Sequence, residues 1–213
     1  MLNLVRLVLV AGVAALVPAR ACAETRLLRH PSYSNGRIVF SYLGSLWSAN
    51  EDGTGVQRLT VNKARDIYPN FSPDGKWIAF SSNRAGNYDV YVMAAGGERP
   101  RQLTFNSADD VVVGWTPDGS KIIFMSSRDK GVFPGIATLF EVPLEGGMEA
   151  PLPTDWGSWA SYSPDGKKLA FTRHPGTGSR QHYRGSYAVD LWTMDVAGRE
   201  FTRLGDGDYK GNY

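Results

Sequence analysis

The sequence predicts an all-β chain of β-propeller blades, each a sheet of four antiparallel strands. A turn motif recurs at Ser72-Pro73-Asp74-Gly75, Thr116-Pro117-Asp118-Gly119 and Ser163-Pro164-Asp165-Gly166, with Asn35-Gly36 as a shortened first copy. Each copy is followed by an apolar run: Arg37-Ile38-Val39-Phe40, Lys76-Trp77-Ile78-Ala79-Phe80, Lys121-Ile122-Ile123-Phe124 and Lys168-Leu169-Ala170-Phe171. The four glycines stand 39, 44 and 47 residues apart. Periods of about 40–50 residues made of short strands are the signature of propeller blades.

In the first repeat the second strand covers residues 37–40, the third Ser45-Leu46-Trp47 and the fourth Gln57-Arg58-Leu59-Thr60. The second repeat is the most complete. Asp66-Ile67-Tyr68-Pro69-Asn70-Phe71 is an extended inner strand, with Pro69 tolerated at its edge or at a bulge. In the turn that follows, proline presets φ, aspartate caps through its side chain and glycine takes the positive φ. Residues 77–80 form a second strand, apolar throughout because neighbouring blades cover both faces. The polar, glycine-bearing residues 81–87 read as a loop, Tyr88-Asp89-Val90-Tyr91-Val92-Met93 as the third strand and Arg101-Gln102-Leu103-Thr104 as the fourth.

The third repeat places its last two strands at Thr138-Leu139-Phe140-Glu141-Val142 and Ala150-Pro151-Leu152-Pro153. The fourth places them at Asp190-Leu191-Trp192-Thr193-Met194 and Phe201-Thr202-Arg203-Leu204. Nine residues separate Leu59 from Tyr68, and nine separate Leu204 from Tyr213. Residues 208–213 therefore read as the inner-strand approach of a fifth blade. Four blades and a stub would leave unpaired edges, so the chain is expected to be the N-terminal part of a longer protein or a truncated product.

Residues 1–23 read as a cleavable secretory leader, and 24–213 as the partial propeller. Arg6 supplies the charged start, residues 7–17 the apolar stretch and Ala21-Cys22-Ala23 the cleavage site. The apolar run is short for a bilayer span, which needs about 20 residues, and Arg20-Ala21 before Cys22 make a poor lipidation box. Cleavage would remove the one cysteine, and with it any thiol, disulfide or Cys ligand. It would also remove Arg6 and Arg20, leaving 21 basic against 21 acidic residues. A neutral exported chain lacks the basic excess of a nucleic-acid binder and has no attraction to anionic membranes. It is expected in the periplasm or outside the cell.

Chemistry is sparse. No Gly-x-Ser-x-Gly elbow is present. The histidines are His30, His174 and His182, with no His-x-His or His-x-x-x-His spacing for a metal. Asp190 follows His182 by eight residues, as His182 follows His174, but nothing positions a serine beside them. Asp206-Gly207-Asp208 lacks an oxygen ligand where Lys210 stands. Gly53-Thr54-Gly55, Gly96-Gly97 and Gly176-Thr177-Gly178 do not link a strand to a helix, so they are hairpin glycines and not phosphate loops. Asp74, Asp118 and Asp165 belong to turns of separate blades. Trp47, Trp77, Trp115 and Trp192 fall in strands and are expected to pack between blades. No catalytic residue, cofactor or metal is expected.

One departure from the template stands out. Between its second and third strands the fourth repeat inserts residues 173–187, a basic and aromatic segment, and the third repeat has a milder insertion at 129–137. Long loops on a rigid scaffold often carry binding function. His174, Arg180, His182, Tyr183 and Arg184 are the candidate residues for contacting a peptide or protein partner. A plain surface loop, or one that docks on a neighbouring domain, is the alternative.

The wording of the second repeat, from Phe71-Ser72-Pro73-Asp74-Gly75-Lys76-Trp77 through Asp89-Val90-Tyr91-Val92-Met93 to Arg101-Gln102-Leu103-Thr104, resembles the TolB-type propeller repeat. TolB itself carries a separate α/β domain before its propeller, whereas these repeats begin almost directly after residue 23. The N-terminal propeller of the tricorn-type serine proteases is the better likeness. Leu28-Arg29-His30-Pro31, Gly36-Arg37-Ile38-Val39-Phe40 with Ser45-Leu46-Trp47, and Tyr183-Arg184-Gly185-Ser186 leading to Asp190-Leu191-Trp192 resemble that family, over residues 28–213. The resemblance implies an incomplete six-bladed propeller that guides peptides toward protease domains lying further along a parent chain. It implies no catalytic residue within this one. A TolB-like periplasmic interaction scaffold and the propeller of a prolyl-oligopeptidase-like hydrolase are the alternatives.

Overall fold

The computed structural model describes residues 27–128, 137–173 and 190–204. These form four sheets of four antiparallel strands in simple sequential order. Blade one comprises β1 (Arg29–Ser34), β2 (Arg37–Tyr42), β3 (Ser45–Asn50) and β4 (Gln57–Arg58); blade two comprises β5 (Asp66–Phe71), β6 (Trp77–Ser82), β7 (Asp89–Ala94) and β8 (Arg101–Gln102). Blade three comprises β9 (Asp110–Trp115), β10 (Lys121–Ser126), β11 (Thr138–Pro143) and β12 (Ala150–Pro151). Blade four comprises β13 (Ser158–Tyr162), β14 (Lys168–Thr172), β15 (Leu191–Asp195) and β16 (Phe201–Arg203). The all-β propeller architecture stands as expected.

Two boundaries differ from the sequence reading. The predicted loop 81–87 starts later, because Ser81 and Ser82 continue β6, pair with Val90 and Asp89, and are buried. The Ser81 hydroxyl accepts a hydrogen bond from the Val112 backbone N–H of blade three at 2.8 Å, so a polar residue is satisfied there by the neighbouring blade. The outer strands are also shorter than predicted. Leu59, Leu103, Leu152 and Leu204 lie just beyond them, each donating its N–H to the carbonyl of Leu46, Val90, Leu139 or Leu191 at 2.8 Å.

The turn motif does what its residue types allow. The hydroxyls of Ser72, Thr116 and Ser163 each donate to the following aspartate's Oδ1 at 2.6 Å. These bonds, with backbone N–H donors, hold Asp74, Asp118 and Asp165 below the usual carboxylate range. Gly75, Gly119 and Gly166 take φ of +73°, +70° and +72°.

Strand alternation sends one set of side chains to the preceding blade and the other to the following one. Val39, Leu46 and Leu59 pack on Ile78, Phe80 and Tyr91. Ala79, Val90 and Leu103 pack on Val112, Ile122 and Phe124, and Ile123, Leu139 and Leu152 on Leu169, Phe171 and Met194. Trp115 lies in the second of these interfaces and Trp77 and Trp192 pack at the rims, as expected. Trp47 differs. Its neighbour Leu46 faces blade two, so Trp47 faces the other way, against Tyr42 and beneath the Arg58 guanidinium at 6.0 Å.

Three blades repeat one arginine–aspartate device. Arg84 pairs with Asp66 at 3.0 Å and lies over the rings of Phe80 and Tyr91. Arg128 pairs with Asp110 and Glu149 and lies over Phe124 and Phe140. Arg173 pairs with Asp155 and lies over Trp156 and Trp192. In all three the aspartate precedes the arginine by 18 residues.

Candidate functional site: the axial face

The first strand of each sheet hydrogen-bonds on one edge only, and the four inner strands pack against one another in sequence. Their free edges face the axis around which the blades are arranged. Each inner strand also carries one residue more than its partner at the same level. His30-Pro31 lie opposite Phe40, Tyr68-Pro69 opposite Phe80, Val112-Val113 opposite Phe124, and Trp159-Ala160 opposite Phe171. A β-bulge re-aims the side chain it carries.

The result is an aromatic layer drawn from three blades. The His30 ring lies 3.9 Å from that of Tyr68, and Tyr68 lies 5.0 Å from Trp159, centroid to centroid. His30 and Tyr68 have φ of +52° and +53°, a region that costs a side-chain-bearing residue about 1–2 kcal/mol. Burial, aided by the Arg29 charge, holds His30 below its usual pKa, so it is a neutral imidazole at pH 7. Its Nδ1 is buried without a hydrogen-bond partner. Burial likewise raises the Tyr68 phenol, keeping it protonated.

Beside this layer, toward the turns, lies a cleft of about 450 Å³. Its walls are Asn70, Phe71 and Pro73 of blade two, residues 113–115 with Pro117 of blade three, and residues 160–164 of blade four. None of these carries a charge. Among the described residues no three His, Cys, Asp or Glu side chains come together.

The five residues singled out in the sequence, His174, Arg180, His182, Tyr183 and Arg184, lie outside the described residues. The base of their insertion is described. The Arg173 N–H donates to the Asp190 carbonyl at 3.0 Å, and Asp190 accepts from the Arg203 guanidinium at 2.7 Å. Asp190 is thus engaged in holding the base of the insertion. A second cavity, about 370 Å³, opens here between Phe171, Trp192, Phe201 and Arg173.

Sequence reasoning missed the aromatic layer, though a signal existed. His30, Tyr68 and Trp159 each stand four residues before the residue that opens the turn: Ser34, Ser72 and Ser163.

Four-stranded blades around a common axis, with an uncharged cleft between their inner strands, define a β-propeller module. The family described as the tricorn protease N-terminal beta propeller domain matches residues 25–212, and the chain belongs to that family. Among curated proteins, the Tol-Pal system protein TolB of Desulfosudis oleivorans is 34% identical over 79 residues, covering 34% of this chain and 18% of that protein. Putative tricorn protease homolog 2 of Streptomyces coelicolor is 34% identical over 84 residues, covering 39% of this chain and 7% of that protein. The matched region spans less than a fifth of either relative.

Solved structures show the same fold. The putative TolB of Agrobacterium tumefaciens superposes with a TM-score of 0.69 at 23% identity, covering 87% of this chain and 64% of that one. The tricorn protease gives 0.70 at 22% identity, covering 85% of this chain and 18% of that one.

Proposed function

We propose that this chain is the non-catalytic propeller module of an exported tricorn-like peptidase, and that it binds or guides polypeptide substrate toward protease domains in a parent protein. The observation that carries the reading is the axial face, where the inner strands of blades two, three and four wall an uncharged cleft in a chain of the tricorn propeller family. The insertion with His174, Arg180, His182, Tyr183 and Arg184 would supply a second contact at the rim. Residues 1–23 would be the secretory leader and 24–213 part of the propeller, with a further blade of the same repeat covering the open face of blade four.

The test is binding and turnover of fluorescently labelled, unstructured peptides by the purified protein. Saturable binding with the peptide left intact supports the reading. Hydrolysis by this chain, or absence of peptide binding, would count against it. Replacing Arg180, His182, Tyr183 and Arg184 together with alanine should weaken binding without altering the melting curve.

A second reading is a TolB-like interaction scaffold, favoured by the identity shared with TolB of Desulfosudis oleivorans. Under it the protein would ignore unstructured peptides and bind only folded partners.

A further inference from the structure

The aromatic layer and the cleft together make a cup. Trp159 immediately precedes Ala160 in the cleft wall, and Tyr68 lies two residues before Asn70. The His30, Tyr68 and Trp159 rings therefore adjoin the cleft on the side away from the turns, next to its walls and outside its lining. Trp159 is 41% exposed, so a face of its indole is open to a ligand.

The walls differ in how much of their axial edge is spent on neighbours. The Phe71 N–H of β5 donates to the Ser32 hydroxyl at 3.1 Å, and the Asn70 carbonyl accepts from the Trp115 indole at 3.0 Å. The Val112 N–H of β9 donates to Ser81. Among the described residues β13 makes no comparable bond to another blade, so its edge keeps backbone groups to offer. At Gly114, across from Ala160, no side chain intrudes: an added Cβ would meet nothing nearer than the Ala160 carbonyl oxygen at 3.9 Å.

A free strand edge recognises the backbone of an extended peptide, and the pockets beside it select side chains. Desolvating a charged side chain against walls that hold no counter-charge is unfavourable. We infer that the cup binds an uncharged, extended peptide segment, pairing its backbone with the edge of β13 and seating an apolar or aromatic side chain on the His30–Tyr68–Trp159 layer. This rests on the peptide-binding reading above and narrows it to a class of segment and a place.

The experiment compares three blocked, labelled tetrapeptides by fluorescence anisotropy with the purified full chain: Ala-Phe-Ala-Phe, and its counterparts with lysine or aspartate in place of both phenylalanines. The phenylalanine peptide should bind about tenfold or more tightly than either charged one, the scale of discrimination an apolar pocket provides. Gly114→Phe fills the cleft from a position with room for a side chain, and should weaken that binding about tenfold or more with the far-ultraviolet spectrum unchanged. Trp159→Ala, at a half-exposed position, is the second variant and should weaken it several-fold even if Gly114→Phe fails to fold. Equal binding of all three peptides, or affinity that neither variant alters, would overturn the cup while leaving peptide binding elsewhere on the propeller intact. No binding of any peptide would overturn both readings.

Discussion

The face by which blade two meets blade three and the corresponding face of blade four are built from the same kinds of residue in the same register, yet they live in different surroundings. On blade two, Val90 is fully buried and Leu103 is 3% exposed. On blade four the residues in those two register positions, Leu191 and Leu204, are 46% and 45% exposed. Hydrogen bonding within the sheet is alike, since Leu103 N–H reaches Val90 and Leu204 N–H reaches Leu191 at the same 2.8 Å. The repeat thus builds each blade internally, while the next blade decides what the outward side chains are worth. Substitutions at equivalent positions should separate the two contributions.

The widest separation is expected at the arginines. Arg128 and Asp110 are 9% and 0% exposed, whereas Arg173 and Asp155 are 37% and 60% exposed. Arg128→Ala leaves a buried carboxylate without its partner and should cost about 3–5 kcal/mol. Arg173→Ala breaks a solvated pair and should cost about 1 kcal/mol or less. Urea unfolding midpoints of the two variants read the difference directly. Equal losses would mean that the blade-four pair is as buried in solution as its counterpart.

The leucines come next. Leu103→Ala should lose about 2–5 kcal/mol, as for a packed core leucine, and Leu204→Ala about 0.5 kcal/mol or less. In a longer chain that supplies the following blade, Leu204→Ala should become as costly as Leu103→Ala. If it stayed cheap there, the open face would not be an inter-blade surface.

Asp89 puts a titrating group into the closed side of the comparison. Burial and the nearby Asp110 carboxylate raise it from an ordinary 3.8 to about 6, against the opposing Thr104 hydroxyl and Arg128 charge, with Asp109 adding to the rise. Gln102 and Thr104 donate to its oxygens. A raised carboxyl means that the folded protein holds more protons than the unfolded chain between these two values. Stability contributed here therefore falls as pH rises from about 4 to 6, by about 3 kcal/mol in total. Asp74, Asp118 and Asp165 act in the opposite sense: their lowered values contribute stability that is lost as pH falls through the folded pKa. Asp89→Asn should raise stability at pH 7 by up to about 3 kcal/mol and leave it nearly unchanged at pH 4. A variant equally stabilised at both values would show that Asp89 is not the titrating group.

How much of this was legible beforehand follows from the range of each interaction. The blades were legible because turn chemistry is local: Ser-Pro-Asp-Gly can be read from four adjacent residues, and the apolar run after it announces a strand covered on both faces. Even the tolerance of Pro69 at a bulge was readable, since proline cannot donate to a ladder. The continuation of β6 through Ser81 and Ser82 was not, because the hydroxyl is satisfied by a blade that begins about thirty residues later. The meeting of His30, Tyr68 and Trp159 was not either. Nothing local brings residues of the first, second and fourth repeats together; the circular arrangement of blades does. The paired arginines failed to register for the same reason, their 18-residue spacing becoming meaningful only once the arginine is seen to lie over a pair of rings and to reach back to the aspartate.

The smallest effect tests the comparison within the motif that revealed the fold. Ser72 and Ser163 occupy the same place in the same turn and share two bonds, Ser163 adding a 3.2 Å contact to the Lys168 carbonyl. Each donates to its aspartate at 2.6 Å and accepts from a backbone N–H, that of Trp77 at 3.0 Å or Lys168 at 2.9 Å. Ser72 is 3% exposed, because blade one lies against this part of blade two, with Asn35 and Ser34 close enough to touch a Cβ placed on Gly75. Ser163 is half-buried, and water can replace its hydroxyl. Ser72→Ala leaves the Trp77 N–H unsatisfied in a dry place and should cost about 1–3 kcal/mol, while Ser163→Ala should cost about 1 kcal/mol or less. Thermal unfolding of the two variants decides it. Equal costs would mean that the turn stabilises each blade independently of its neighbours, and the value of this motif would then be a property of the four residues alone.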